Sequence, residues 1–170
     1  GLPQVSRVEN QLKLDFELSP QANLSDIYLS SDCIARQKFY LEKNIEEYPQ
    51  EFRNSLIYLD AFLICATNRK SIDVCTKCVR REQRRAARRK SGISDNMLWC
   101  NNPNRRAVIF NNKQIIKTSV NPQTGNQVFS LTTRIVCYCR HHKSLEGFKI
   151  LFVLKNSNND ILAKSITSAI

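Results

Sequence analysis

Apolar and polar residues alternate in short runs along most of this chain, and that alternation restricts the folds it can adopt. In the first run, residues 12–18, every second side chain is apolar, which is the pattern of a half-buried β-strand. Comparable runs follow at 56–65, 107–116, 128–139, 148–154 and 161–170. Turns rich in Pro, Gly and Asn separate several of them, as at 121–126 and 156–160. The pattern predicts a mainly β fold, an antiparallel immunoglobulin-type β-sandwich, rather than alternating βα units.

One segment, residues 71–90, departs from the alternation. It contains no Gly or Pro, and its second half is rich in Arg, Ala, Glu and Gln, which favour helices. Ser71 and Asp73 are residue types that cap helix N-termini. We therefore expect a basic α-helix over about 71–90, inserted between two strands of the sandwich.

The size of the chain fits a single domain. Its 170 residues, of which 42% are hydrophobic, are enough to bury one core. The chain begins with Gly rather than Met and its last residues still have a strand pattern, so we expect residues 1–170 to be one domain of a longer protein. It contains no nucleophile elbow, phosphate-binding loop, dinucleotide fingerprint or His-Glu-x-x-His motif, and we expect no enzymatic activity.

The charge of the chain indicates its class of partner. Lys and Arg number 26 against 15 Asp and Glu, which gives a net charge of +11. Such an excess favours a polyanionic partner, nucleic acid first and an anionic membrane second. No apolar run approaches the roughly 18 residues needed to span a bilayer, so we expect no membrane contact for this part of the protein.

The basic charge is concentrated in the predicted helix. Between Arg80 and Lys90 there are six Arg and one Lys against one Glu. Arginine suits contact with double-stranded DNA, because its planar fork can hold a phosphate or the major-groove edge of guanine with two hydrogen bonds. Helical spacing of three and four predicts one contact stripe, which comprises Arg81, Arg84, Arg85 and Arg88, flanked by Arg80, Arg89 and Lys90.

Weaker basic signals lie elsewhere in the chain, and other functions stay open. We expect secondary DNA contacts from Arg7, which precedes the first strand, and from Arg140 and Lys143. The basic run is also typical of a nuclear-import signal on a solvated surface. An RNA-binding module and a protein-interaction module are further alternatives, and the sequence leaves both monomer and dimer open.

The cysteine pattern predicts a structural zinc site. The chain has seven cysteines, an odd number that favours a reducing compartment. Cys75-x-x-Cys78 and the run 137–142, Cys-Tyr-Cys-Arg-His-His, offer thiol and imidazole ligands of the kind that tetrahedral zinc prefers. We expect zinc to be held by Cys75, Cys78, Cys139 and His142 at the base of the helix. Two alternatives stay open: Cys100 as the fourth ligand, or core thiols beside a basic loop with no metal.

The most distinctive residues resemble one fungal family. Residues 72–90 together with 137–143 and Gly147-Phe148 resemble the membrane-tethered activators of the fatty-acid desaturase gene, and the resemblance extends to residues 6–11 and 163–168. It implies an N-terminal DNA-binding region of a lipid-responsive transcription activator. Members of that family are anchored in the endoplasmic reticulum membrane as precursors, released by proteasome-dependent processing and active in the nucleus, and they carry an IPT/TIG domain and ankyrin repeats. A Rel-like or Runt-like sandwich that binds DNA through one end fits the same strand pattern.

Overall fold

The computed structural model describes residues 11–19, 21–30, 33–34, 41–87, 107–139, 142 and 146–170. These residues form two packed β-sheets, which confirms the predicted β-sandwich. The strands are β1 (Leu12–Leu18), β2 (Asp26–Leu29), β3 (Leu56–Cys65), β4 (Val108–Phe110), β5 (Ile115–Lys117), β6 (Ser119–Val120), β7 (Gln127–Ile135), β8 (Phe148–Lys155) and β9 (Ile161–Ile166). The helices are α1 (Gln50–Asn54), α2 (Thr76–Ala87) and a 3-10 turn at Ile45–Glu47. Within the described ranges, no helix has the length and apolar character to cross a membrane.

The first sheet has the order β1-β7-β4, with β6 also paired to β7, and the second has the order β5-β2-β3-β8-β9. The predicted antiparallel arrangement holds for every pair of named strands except one. Strands β2 and β3 run parallel, with Ile27 opposite Ile57. A parallel pair needs a crossover connection rather than a tight turn. The chain from 30 to 55, which includes α1, provides that connection.

The core lies between the sheets and follows the alternation that the sequence shows. Alternate residues of β8, namely Phe148, Ile150, Phe152 and Leu154, are buried and face the core, as predicted. The ring of Phe16 stacks on that of Phe129 with centroids 4.8 Å apart, and it meets Phe152 of the other sheet edge-on, also at 4.8 Å. The contact of Phe16 with Phe152 joins the two sheets.

The apolar run at 107–116 forms two short strands in different sheets, β4 and β5, rather than one strand. The side chain of Asn112 accepts a hydrogen bond from the backbone N–H of Thr132 at 2.9 Å, beside the bond from the N–H of Asn111 to the carbonyl of Thr132. Because the Asn112 side chain occupies this position on β7, the β4–β7 ladder ends at Phe110. The chain then crosses to the second sheet.

Helix α2 packs on the outer face of the first sheet. Val79 contacts Ile109 and Val136 in a small second core, separate from the main one. The helix begins at Thr76 and not near 71, because Ser71 still pairs with Ile64 of β3 and the N–H of Ile72 bonds to the carbonyl of Leu63 at 2.8 Å. The predicted helical residues 88–90 lie outside the described residues.

Candidate nucleic-acid interface and metal centre

The inner face of α2 is set by three buried residues, Cys78, Val79 and Glu82. They are spaced by one, three and four positions, so they share one side of the helix. Val79 fills the second core, and the sulfur of Cys78 contacts that of Cys139, which lies in the segment after β7. These contacts fix which side of the helix faces solvent.

A buried ion pair joins α2 to the strand beneath it. The Arg134 guanidinium of β7 donates two hydrogen bonds to the Glu82 carboxylate, at 3.0 and 2.9 Å. The exposed fractions of the two side chains are 5% for Arg134 and 1% for Glu82. The pair of parallel bonds constrains both the distance and the angle between helix and strand.

The outer face of α2 is basic. Lys77, Arg80 and Arg84 are exposed, at helical spacings of three and four, and Gln83 beside them is also exposed. Arg85 is half-buried. The exposed cationic stripe is therefore Lys77, Arg80 and Arg84, which keeps two predicted arginines and adds a lysine that we did not predict.

Arg81, predicted as a main DNA contact, lies between the helix and the sandwich instead. Its Nη2 donates a hydrogen bond to the carbonyl of Val136 at 2.8 Å and lies 3.3 Å from the sulfur of Cys78. Arg81 follows the buried Cys78 by three positions, which places it beside the inner face of the helix. Its guanidinium thus supports the base of α2 rather than joining the exposed stripe.

Four thiols come together where α2 begins and β7 ends. The sulfur atoms of Cys75, Cys78, Cys137 and Cys139 all lie within 4.8 Å of one another. Cys139 is 3.4 Å from Cys75 and 3.3 Å from Cys78, measured between sulfur atoms. Four cysteines in two close pairs are a donor set that tetrahedral zinc prefers. The cluster could therefore hold a metal ion.

The structure differs from the predicted ligand set at one position. Cys137 takes the fourth place in the cluster, where we expected His142. The Nε2 atom of His142 lies 3.1 Å from the sulfur of Cys137, and its ring meets Phe148 edge-on at 6.2 Å between centroids. Cys137 and Cys139 are two positions apart in the sequence, a spacing that places both side chains on one face of an extended segment, and this is the signal by which Cys137 could have been found. His142 is placed to orient Cys137.

The thiols of the cluster differ in how readily they ionise. Burial raises the pKa of Cys78 strongly and that of Cys139 to about 11, because a thiolate loses hydration there. Burial opposes ionisation at Cys75 as well, but hydrogen bonds from the Cys78 backbone and the neighbouring thiols outweigh it and lower its pKa to about 7. A divalent cation in the cluster would favour the thiolate form of all four residues.

Comparison with known proteins identifies the family of this chain. Its residues 1–170 match the family model described as the SPT23/MGA2 DNA-binding domain. The chain belongs to the SPT23/MGA2 DNA-binding domain family. It is 57% identical over 175 aligned residues to Protein MGA2 of Saccharomyces cerevisiae and 48% identical over 184 to Protein SPT23 of the same yeast. All of the chain is covered in both alignments, but only 15% of MGA2 and 17% of SPT23. No solved structure matches it.

Membership of the SPT23/MGA2 DNA-binding domain family confirms two predictions, that this is a DNA-binding domain and that it is not an enzyme. The matched domain forms only about one sixth of the length of each relative. Which residues of the domain contact DNA depends on the geometry of the chain itself.

This SPT23/MGA2-type domain has a second exposed basic element at the same end of the sandwich as the cluster. The turn after β3 is exposed at Arg69 and Lys70, which we did not predict as contacts. Arg69 has a φ of 58°, and its N–H bonds to the carbonyl of Cys65 at 2.8 Å. Cys65 pairs with Phe148, whose ring contacts that of His142, the neighbour of Cys137 in the cluster.

Several predicted site residues lie outside the described part of this family member. They are Arg7, Arg88, Arg89, Lys90, Arg140 and Lys143, together with the alternative ligand Cys100. Their predicted roles in DNA contact or metal binding remain predictions.

Proposed function

We propose that this domain binds double-stranded DNA in a sequence-specific manner, with α2 as the element that reads it. The observation that supports this most directly is the exposed stripe of Lys77, Arg80 and Arg84 on a helix whose opposite face is locked to the sandwich. The major groove of B-DNA, about 12 Å wide, admits an α-helix. Because its opposite face is held by the sandwich, such a helix presents its cations in a fixed orientation relative to the bases in the groove.

Arg80 and Arg84 are the residues best suited to contact bases. They lie one turn apart on the exposed face, so both can enter one groove. Each guanidinium can donate two hydrogen bonds to guanine, an interaction that contributes about 1–3 kcal/mol of discrimination. Lys77 is a point charge at the start of the helix and suits a phosphate.

We assign a structural Zn²⁺ to the four thiols of Cys75, Cys78, Cys137 and Cys139. Zinc bound by four cysteines has no open position and serves folding rather than chemistry. Here it would join the first turn of α2 to the segment that follows β7. Arg81, which contacts both Cys78 and the carbonyl of Val136, would support the thiolates from beside the cluster.

We infer the role of the longer protein from its family rather than from the fold. The domain would serve a transcription activator of genes for unsaturated fatty-acid metabolism, active in the nucleus and made as a precursor in the endoplasmic reticulum membrane. The basic stripe and the match to a DNA-binding domain family support nuclear action on DNA.

Fluorescence anisotropy tests the DNA-binding proposal. The domain is titrated with a randomised duplex pool, with the duplexes selected from it and with their single strands, across a salt series. We compare Arg80→Ala/Arg84→Ala with Lys117→Ala/Lys164→Ala, which removes the same charge from exposed positions on the second sheet. We expect the wild type to select a duplex, the α2 variant to bind it about 100-fold less tightly, and the control to change binding by less than about threefold.

Equal affinity for every duplex and single strand, lost at modest salt, would overturn this assignment. The basic run would then be a charged surface or an import signal. Equal losses in both variants would indicate that total charge, and not α2, determines binding.

A further inference from the structure

The Glu82–Arg134 pair attaches α2 to the first sheet through two buried charges. Moving two charges out of water costs free energy that their mutual attraction recovers only in part. An apolar pair of similar size would hold the helix as firmly, as Val79 does beside it against Ile109 and Val136. The ion pair is therefore better explained by the geometry that it imposes than by the stability that it adds.

The position of the pair completes the attachment of α2. Cys75, just before α2, and Cys78, in its first turn, both contact the sulfur of Cys139. Glu82 lies seven positions beyond Cys75, about 10 Å further along the axis. Two attachment points at different positions along the axis fix the tilt of a helix, whereas a single attachment point leaves the helix free to pivot. The parallel hydrogen bonds to Arg134 also resist rotation about the axis, which sliding apolar contacts do not.

Glu82 is also placed to control where the exposed arginines point. Arg80 and Arg84 lie two positions to either side of it, and residues two apart on a helix project to nearly opposite sides. Any rotation at Glu82 therefore carries both guanidinium groups with it. A rotation of about 20° moves an arginine tip by about 3 Å, enough to break a hydrogen bond to a base edge.

We propose that the buried Glu82–Arg134 pair is the positioning device that sets the register of α2 in the DNA groove, and so determines sequence selectivity rather than overall affinity. This inference rests on the proposed DNA-binding function. Removing the pair leaves Lys77, Arg80 and Arg84 on the surface, so attraction to phosphates persists. The variant lacks only the single orientation in which the arginines meet their bases.

The test replaces both charges by apolar side chains of similar length, Glu82→Met/Arg134→Met. The control is Asp60→Leu/Lys155→Met, which removes an ion pair of the same net charge on the second sheet, where Lys155 Nζ lies 3.4 Å from the Asp60 carboxylate. Circular dichroism and thermal unfolding report the fold. Anisotropy gives the affinity for the selected duplex and for a scrambled duplex of equal length, and their ratio is the selectivity.

We expect the α2 variant to fold with a melting temperature near that of the wild type or above it. Its affinity for scrambled duplex should stay within about threefold, and its selectivity should fall at least tenfold, while the control retains selectivity. If the double variant does not fold, the same ratio is measured on Arg134→Lys, which keeps the charge but cannot make two parallel bonds. A folded variant with undiminished selectivity would overturn the inference, whereas a wild type without selectivity would overturn the proposed function instead.

Discussion

Individual side chains of α2 carry out different tasks although they look alike in the sequence. Arg80 and Arg84 face solvent, and Arg81 between them bonds to the carbonyl of Val136 and approaches Cys78. Which arginines are exposed depends on how the helix is rotated about its axis, and the buried Glu82 fixes that rotation. Charge alone therefore does not identify the residues that contact DNA.

At the same scale, we expect Cys137 and not His142 to be the fourth zinc ligand. Purified Cys137→Ser should lose most of its zinc, whereas His142→Ala should keep one zinc per chain with affinity weakened by about tenfold, because an orienting partner contributes less than a ligand. Elemental analysis after dialysis against a zinc buffer measures both.

Cys33→Ser is the matched control for this comparison. Cys33 is a buried thiol outside the cluster whose sulfur lies 3.1 Å from the carbonyl of Ser30, so a serine there should leave the zinc content unchanged. If Cys137→Ser retained zinc and His142→Ala lost it, the histidine would be the ligand.

Elements with regular alternation could be predicted from the sequence, and those whose form depends on distant contacts could not. β1 occupies 12–18 as expected, because its apolar and polar residues alternate without interruption. β2 has four residues, too few to show a period, and its parallel pairing depends on the crossover that precedes β3. In the candidate site, the Cys-x-x-Cys pair could be recognised from the sequence. The burial of Glu82 could not, because Glu82 lies within a charged run and no apolar pattern marks its position.

The turn after β3 gives a prediction at the scale of an element. Arg69→Asn/Lys70→Ala should weaken binding to all duplexes by a similar factor and lower the slope of log affinity against log salt by about one for each phosphate that the turn no longer neutralises. Asparagine is chosen because it tolerates the positive φ of Arg69. Anisotropy over a salt series provides the slope.

The contrast with α2 makes this prediction specific. Selectivity between selected and scrambled duplex should be retained, since interactions with phosphates carry no base information. The control Lys117→Ala/Lys164→Ala should leave the slope unchanged. An unchanged slope in the turn variant would place the turn outside the interface, and a loss of selectivity would mean that it reads bases.

On the scale of the whole molecule, the two cores separate the packing of the sandwich from the packing of α2. The main core joins both sheets through residues such as Leu131 and Ile150, whereas the second core holds α2 through Val79, Ile109 and Val136. The thiol cluster lies beside the second core, where α2 begins and β7 ends. Metal loss should therefore affect the helix first and the sandwich little.

We accordingly expect a strong chelator to abolish selective duplex binding without unfolding the sandwich. Far-UV circular dichroism should lose helical signal and retain strand signal, and near-UV signal from the packed Phe16, Phe129 and Phe152 should persist. Added zinc should restore both helix and binding, because the thiols need only metal to close the site. Cooperative loss of all signals on chelation would instead show that the cluster supports the entire sandwich, through Val74, which packs against both cores.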